Sequence, residues 1–152
     1  MKNLDIKMAD ISGKLQTKRV ATAQAKVYMK KATLKSLLKG RIPKGDVLSC
    51  AKVAGIMAAK NTSQLIPLCH PLEITDVKIE FKIDEKKDVI SVKGIVSVLG
   101  RTGVEMEALT SVSIAALTIY DMCKPVDRDI VISDVMLLEK SGGKSGTYKR
   151  QG

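Results

Sequence analysis

Glu73-Ile74-Thr75-Asp76-Val77-Lys78-Ile79-Glu80-Phe81-Lys82-Ile83-Asp84 and Val89-Ile90-Ser91-Val92-Lys93-Gly94-Ile95-Val96-Ser97-Val98-Leu99 are the two runs from which the architecture can be read. Ile74, Val77, Ile79, Phe81 and Ile83 alternate with polar residues, as do Ile90, Val92, Val96 and Val98 on the return. Period-two patterning of this kind makes a strand with one face on a core and one in water. Asp84-Glu85-Lys86-Lys87-Asp88 between them has turn composition, although it lacks the Asn-Gly pair of a two-residue hairpin. The alternation changes phase beside Gly94, so a bulge is expected there.

Downstream, Thr102 with Glu105 three residues on reads as a capping box that opens the longest helix. That helix runs to Cys123 or Lys124 and stops before Pro125. A final strand spans 130–139, and a Gly/Lys/Ser tail over 140–152 is expected to be mobile. Upstream, residues 1–17 form a polar arm, also expected to be mobile, and a strand covers 18–29. Thr33 is expected to cap a short helix that Gly40 ends. Asp46 caps a helix over 47–60 whose Ser49, Cys50, Ala51, Ala54, Gly55, Ala58 and Ala59 let a neighbour approach closely. Residues 61–72 are a loop. The order is strand, helices, strand, strand, long helix, strand, without internal repeat or linker. It predicts one α+β domain over 1–152, a ferredoxin-like two-layer sandwich with helices on one face of an antiparallel sheet.

Composition narrows the function. One Phe, three Tyr and no Trp leave the core to aliphatic side chains. Cys50, Cys69 and Cys123 are odd in number and far apart, with no C-x-x-C pair, so neither a disulfide framework nor a zinc site is expected. Reduced cysteines and an N-terminus without the apolar run of a signal peptide point to the cytoplasm. The longest uncharged helical run, 108–120, is too short to cross a membrane. The net charge of +10 is confined to the start: residues 1–44 hold 12 Lys and Arg against 2 Asp and Glu, whereas residues 45–152 hold 14 of each. A basic segment calls for an anionic partner unless it is merely a solvated face. Nucleic acid is the competing reading for that partner, but there are few aromatic rings for base stacking and no helix-turn-helix or zinc signature.

Several residues stand out by chemistry. His70, the only histidine, is held between Pro67 and Pro71 in a stiff extended turn, either aimed at a ligand or simply exposed there. Glu105 and Glu107 in the first turn of the long helix suit its dipole. Asp121 in the last turn has the wrong sign for that dipole, and Lys124 can partner it across one turn as a surface ion pair or a proton-transfer couple. Glu107 and Asp121 are 14 residues apart, which on a straight helix is about 21 Å on roughly one face. Two subunits packed antiparallel are therefore needed if both ends serve one small-molecule site. The uncharged middle of the helix suits either that contact or burial against the sheet. Lys44 stands at the mouth of a helix N-terminus, where free amides favour anions. The tail 139–146 resembles a phosphate loop superficially, but Leu138 replaces the leading glycine and no helix pattern follows.

Together, Leu65-Ile66-Pro67-Leu68-Cys69-His70-Pro71-Leu72, Gly100-Arg101-Thr102-Gly103-Val104-Glu105-Met106-Glu107-Ala108-Leu109-Thr110, Tyr120-Asp121-Met122-Cys123-Lys124 and Leu138-Glu139-Lys140-Ser141-Gly142-Gly143-Lys144-Ser145-Gly146 closely resemble the MoaC family of molybdenum cofactor biosynthesis, the cyclic pyranopterin monophosphate synthases. The resemblance extends over about 10–146 and includes Pro43-Lys44-Gly45-Asp46-Val47-Leu48. It implies conversion of a cyclised guanosine triphosphate, supplied by a radical enzyme, to cyclic pyranopterin monophosphate with loss of pyrophosphate. It also implies a hexamer of three dimers with sites at dimer interfaces, and neither metal nor organic cofactor. Carried onto this chain, Asp121, Lys124 and Lys44 form the acid–base centre. Leu68, Cys69, His70, Met106 and Glu107 line the substrate pocket. Arg19, Lys140 and Lys144 hold the triphosphate, with Asp10 and Glu105 in support.

Overall fold

A computed structural model describes residues 4–152 of the chain. Residues 1–3 of the expected N-terminal arm lie outside the described residues. The elements are β1 (Thr17–Tyr28), α1 (Lys31–Leu38), α2 (Val47–Lys60), α3 (Thr62–Leu65), β2 (Ile74–Asp84), β3 (Val89–Gly100), α4 (Glu105–Cys123), β4 (Val131–Ser141) and β5 (Tyr148–Lys149). The strands form one antiparallel sheet in the order β2-β3-β1-β4-β5. The first four give the ferredoxin-like order, as the sequence pattern predicts. The helical layer is α2 and α4 side by side, with α4 lying over β1, β3 and β4 and α2 over β2.

Residue size explains why α4 sits so close. The inward face of β1, at the centre of the sheet, is Ala21, Ala23, Ala25 and Val27, all buried. Ile90, Val92, Val96 and Val98 of β3 complete the floor, and Ala108, Val112, Ala115, Ala116 and Ile119 of α4 meet it. The expected small face of α2 also serves close packing: a Cβ on Gly55 would lie 3.1 Å from the Ser111 carbonyl oxygen and 3.3 Å from Ala115 Cβ.

Gly94 is not at a bulge. β3 pairs with β1 without interruption from Thr17↔Gly100 to Tyr28↔Val89, and the register shifts lie between Ile74 and Asp76 of β2 and in the pairing of β1 with β4. The glycine is there because a Cβ would approach Ser111 Oγ to 2.6 Å and Val112 Cγ1 to 2.8 Å. The apparent phase change comes from Ile95, an apolar residue on the face away from the helices.

Two expected helix caps are also replaced. Thr33 lies inside α1, buried, and its hydroxyl donates to Asp127 Oδ2 at 2.9 Å. The same oxygen accepts from the N–H of Lys30, the true N-cap position, also at 2.9 Å. Thr102 does not cap α4: its N-cap is Val104, without a side-chain bond, and the Glu105 carboxylate turns to Lys140 instead. Asp46 does cap α2, accepting from Ser49 N–H at 3.1 Å. Gly40, with φ +67°, closes α1 as expected. After β4 the tail folds back, and Tyr148 and Lys149 pair with Lys140 and Glu139.

Candidate functional site

The residues singled out by the sequence gather in two places, one at each end of α4. At the C-terminal end, Asp121 lies between two lysines. Lys124, one turn further on, places its Nζ 2.9 Å from Asp121 Oδ1. Lys44 Nζ donates to Asp121 Oδ2 at 3.2 Å and to the Asp121 carbonyl oxygen at 3.1 Å. The loop between α1 and α2 delivers Lys44: Arg41 N–H bonds Ser36 O at 2.8 Å, Ile42 is buried, and Gly45 N–H closes a turn on Ile42 O at 3.0 Å. The hydrogen bond from Lys124, followed by that from Lys44, holds the Asp121 carboxyl below the ordinary carboxylate range. These side chains are 41–56% exposed, and ion pairs so open to solvent stabilise a fold very little. An acid at a helix C-terminus is unfavourable besides. Stability does not account for the trio. A carboxylate flanked by two ammonium groups and open to solvent can relay protons on a bound ligand.

At the N-terminal end, Glu107 is 3% exposed, and its Oε2 is buried without a hydrogen-bond partner. Its Oε1 accepts from the Cys69 thiol at 3.4 Å. Burial pushes the Glu107 carboxyl above the usual range. Burial, reinforced by the negative charge of Glu107, pushes the Cys69 thiol up to about 11. A thiol so raised stays protonated near neutrality and is a poor nucleophile, so Cys69 is a hydrogen-bond donor to Glu107 here. His70 follows it, half-buried, and Leu68 and Met106 expose apolar surface beside the pair. Asp10 lies in the N-terminal arm, and hydrogen bonds from Ser12, its N–H at 2.9 Å, hold its carboxyl low.

The cationic group lies against the same end. Arg19 is buried, and its Nε donates to Gly100 O at 3.0 Å. Lys140 Nζ lies 3.1 Å from Glu105 Oε1 and donates to Ser145 Oγ at 3.2 Å. A polar cavity joins Arg19, Glu105 and Lys140 with Lys14, Thr102 and Ser145, and a neighbouring one joins Lys144 to Lys14 and Arg19. Gly142 and Gly143 carry the tail past β1 with φ of +94° and +81°, where a Cβ on either would collide with Lys18 O or the Arg19 guanidinium. Sequence reading missed Lys14, Thr102 and Ser145 as wall residues. Lys14 was one lysine among twelve cations, and Thr102 was assigned to a cap.

The two groups do not meet within one protomer. Glu107 and Asp121 stand 14 positions apart on α4, about 21 Å along the helix.

A ferredoxin-like sandwich with a lysine–aspartate–lysine cluster at one end of its long helix, and a cationic cavity with a buried carboxyl at the other, has the equipment of enzymes that move protons on an anionic small molecule. The profile of the MoaC family matches residues 8–143, and the chain belongs to that family. It is 58% identical over 145 residues to the cyclic pyranopterin monophosphate synthase of Thermoanaerobacter pseudethanolicus, covering 95% of this chain and 92% of that protein. With the synthase of Desulfitobacterium hafniense identity is 59%, covering 95% and 88% of the two chains. With that of Listeria monocytogenes it is 54%, covering 95% and 90%.

Proposed function

We propose that the chain converts 3′,8-cyclo-7,8-dihydroguanosine 5′-triphosphate to cyclic pyranopterin monophosphate, releasing pyrophosphate, as a phosphorus–oxygen lyase of molybdenum cofactor biosynthesis. Family membership at more than half identity supports the reaction. The observation that carries the roles is the Lys44–Asp121–Lys124 trio, which has a chemical rationale and little energetic one. Opening and rebuilding a purine ring needs several proton transfers, and two ammonium groups on one carboxylate supply donors and an acceptor within one bond of each other. Closing a cyclic phosphate on the α-phosphorus expels the outer two phosphates as pyrophosphate. Arg19, Lys140 and Lys144, with Lys14 beside them, are cations suited to stabilise that departing charge. Leu68, Cys69, His70, Met106 and Glu107 wall the base-derived end, with Glu105 placing Lys140 and Asp10 in support.

Because the trio and this wall stand at opposite ends of α4, the working site takes them from two copies of the chain, within a hexamer of three dimers. The same reading accounts for the basic first 44 residues, since Lys14, Arg19 and Lys44 all come from that segment and face the two groups. A radical enzyme supplies the substrate, and the free cysteines fit the cytoplasm. Among the described residues no helix is long and apolar enough to cross a membrane.

The test is turnover of the cyclised nucleotide by the purified chain, with pterin product and pyrophosphate measured together. One pyrophosphate per pterin is expected, and Asp121→Asn and Lys124→Ala are each expected to lose turnover while keeping the fold. A folded wild-type chain that releases no pyrophosphate would overturn the assignment.

A further inference from the structure

Asp127 is a buried carboxylate, 2% exposed, in the turn that follows α4 and three residues beyond Lys124. Burying an ionised carboxylate is costly unless donors surround it. Here they do. Oδ2 accepts from Lys30 N–H and from the Thr33 hydroxyl, each at 2.9 Å, and Oδ1 accepts from Asp129 N–H at 3.0 Å. Burial alone would raise this carboxyl, but the three donors together hold it below its ordinary value, so it is charged at neutral pH. Lys30 is the N-cap residue of α1 and has no capping side chain of its own. The cap is therefore supplied by a residue 97 positions away along the chain. Outside this bond the Lys30 and Asp129 side chains meet at 3.2 Å, too exposed to add much.

The connection has a consequence at the trio. α1 passes through Gly40 and the Arg41–Ser36 bond into the loop that presents Lys44, while Asp127 hangs from the helix end that presents Asp121 and Lys124, its N–H bonded to Cys123 O at 3.0 Å. One carboxylate thus clamps the two segments whose separation sets the 3.2 Å contact between Lys44 and Asp121.

We propose that Asp127 is a positioning residue for the Lys44–Asp121–Lys124 centre: its buried carboxylate ties the turn after Lys124 to the start of the helix that delivers Lys44. The inference rests on the reading of that trio as the acid–base centre.

The experiment compares wild type, Asp127→Asn and Thr33→Val by two readouts. The first needs no activity. The side-chain carboxyl of Asp121 is titrated by carbon NMR in the folded protein. Lys124 on α4 and Lys44 from the loop are the charged groups that face Asp121. Release of Lys44 moves the Asp121 pKa upward toward the ordinary range in Asp127→Asn, and less far in Thr33→Val, where two donors remain. The second readout is steady-state kinetics. A displaced Lys44 lowers kcat about tenfold or more and shifts KM by less than about twofold. Asp127→Asn then costs little further kcat when added to Lys44→Ala. Thr33→Val, which removes one donor and keeps the side-chain shape, carries the test if Asp127→Asn does not fold. An Asp121 titration identical to wild type in the folded variants, or the same fold loss in kcat with and without Lys44, would overturn the inference. A wild-type chain without turnover would instead overturn the functional assignment, and the titration would still decide the placement of Lys44.

Discussion

Two carboxylates of α4, Asp121 and Glu107, are driven in opposite directions by their surroundings. Asp121 is exposed between two lysines and held ionised, whereas Glu107 is buried beside a thiol and pushed toward its protonated form. Opposed shifts of this sort suit one carboxylate to accept protons and the other to donate them if, as proposed, two copies bring them to one site. The Glu107 shift also has a sign in stability. Its folded-state pKa lies above its unfolded value, so the native state binds the extra proton between the two values. That contribution is present below about 4.5, the ordinary value, and is lost as pH rises through the raised one. Glu107→Gln removes the penalty of ionisation. Relative to wild type, its melting temperature should therefore climb as pH rises from about 4.5 through the raised value. Unfolding followed at several pH values checks this, and a difference that is flat with pH would contradict it. Cys69, raised to about 11, should be alkylated slowly near neutrality and faster as pH approaches that value. Peptide-resolved labelling checks the rate, and fast modification at neutral pH would show the thiol is not buried against Glu107.

At the scale of elements, the packing of α4 on the sheet rests on missing side chains. Gly94→Ala would drive a Cβ into Ser111 Oγ, which is itself fixed by donation to Ala108 O at 2.8 Å, and into Val112. Overpacking of this kind costs about 1–3 kcal/mol. An unfolding free energy lower by that amount in urea titration is expected; an unchanged value would mean α4 does not lie against β3 there. Asp46→Ala should cost about 1 kcal/mol through loss of the α2 cap, measured the same way. The strands, α2, α4 and the sandwich itself were legible in the sequence because period-two and helical apolar patterns are local. What was illegible depends on distant partners. Thr33 looked like a cap because nothing in the sequence announces that Asp127 supplies one from across the fold. Gly94 looked like a bulge because the helix it accommodates is remote in sequence. Thr102 and Glu105 matched a capping box, but Lys140 drew the glutamate away. The Asp121–Lys124 couple was readable from spacing, whereas the third member, Lys44, emerged only through the family resemblance.

For the whole molecule, the decisive quantity is the length of α4. A helix of 19 residues keeps the lysine–aspartate cluster and the buried carboxyl with its cations about 21 Å apart between Glu107 and Asp121, too far for one nucleotide-sized ligand. On the proposed function, symmetric pairing of two copies would turn that separation into two complete sites, each made of one end from each partner. Mixing tests this directly. Asp121→Asn and Glu107→Gln chains, each inactive alone, are combined in equal amounts, dissociated and reassembled. If each site draws its two halves from different protomers, about a quarter of wild-type turnover returns, because half of the sites receive an intact Asp121 and half of those an intact Glu107. If one protomer supplies both residues to its own site, no mixed assembly contains an intact pair, and turnover stays at the level of the separate variants.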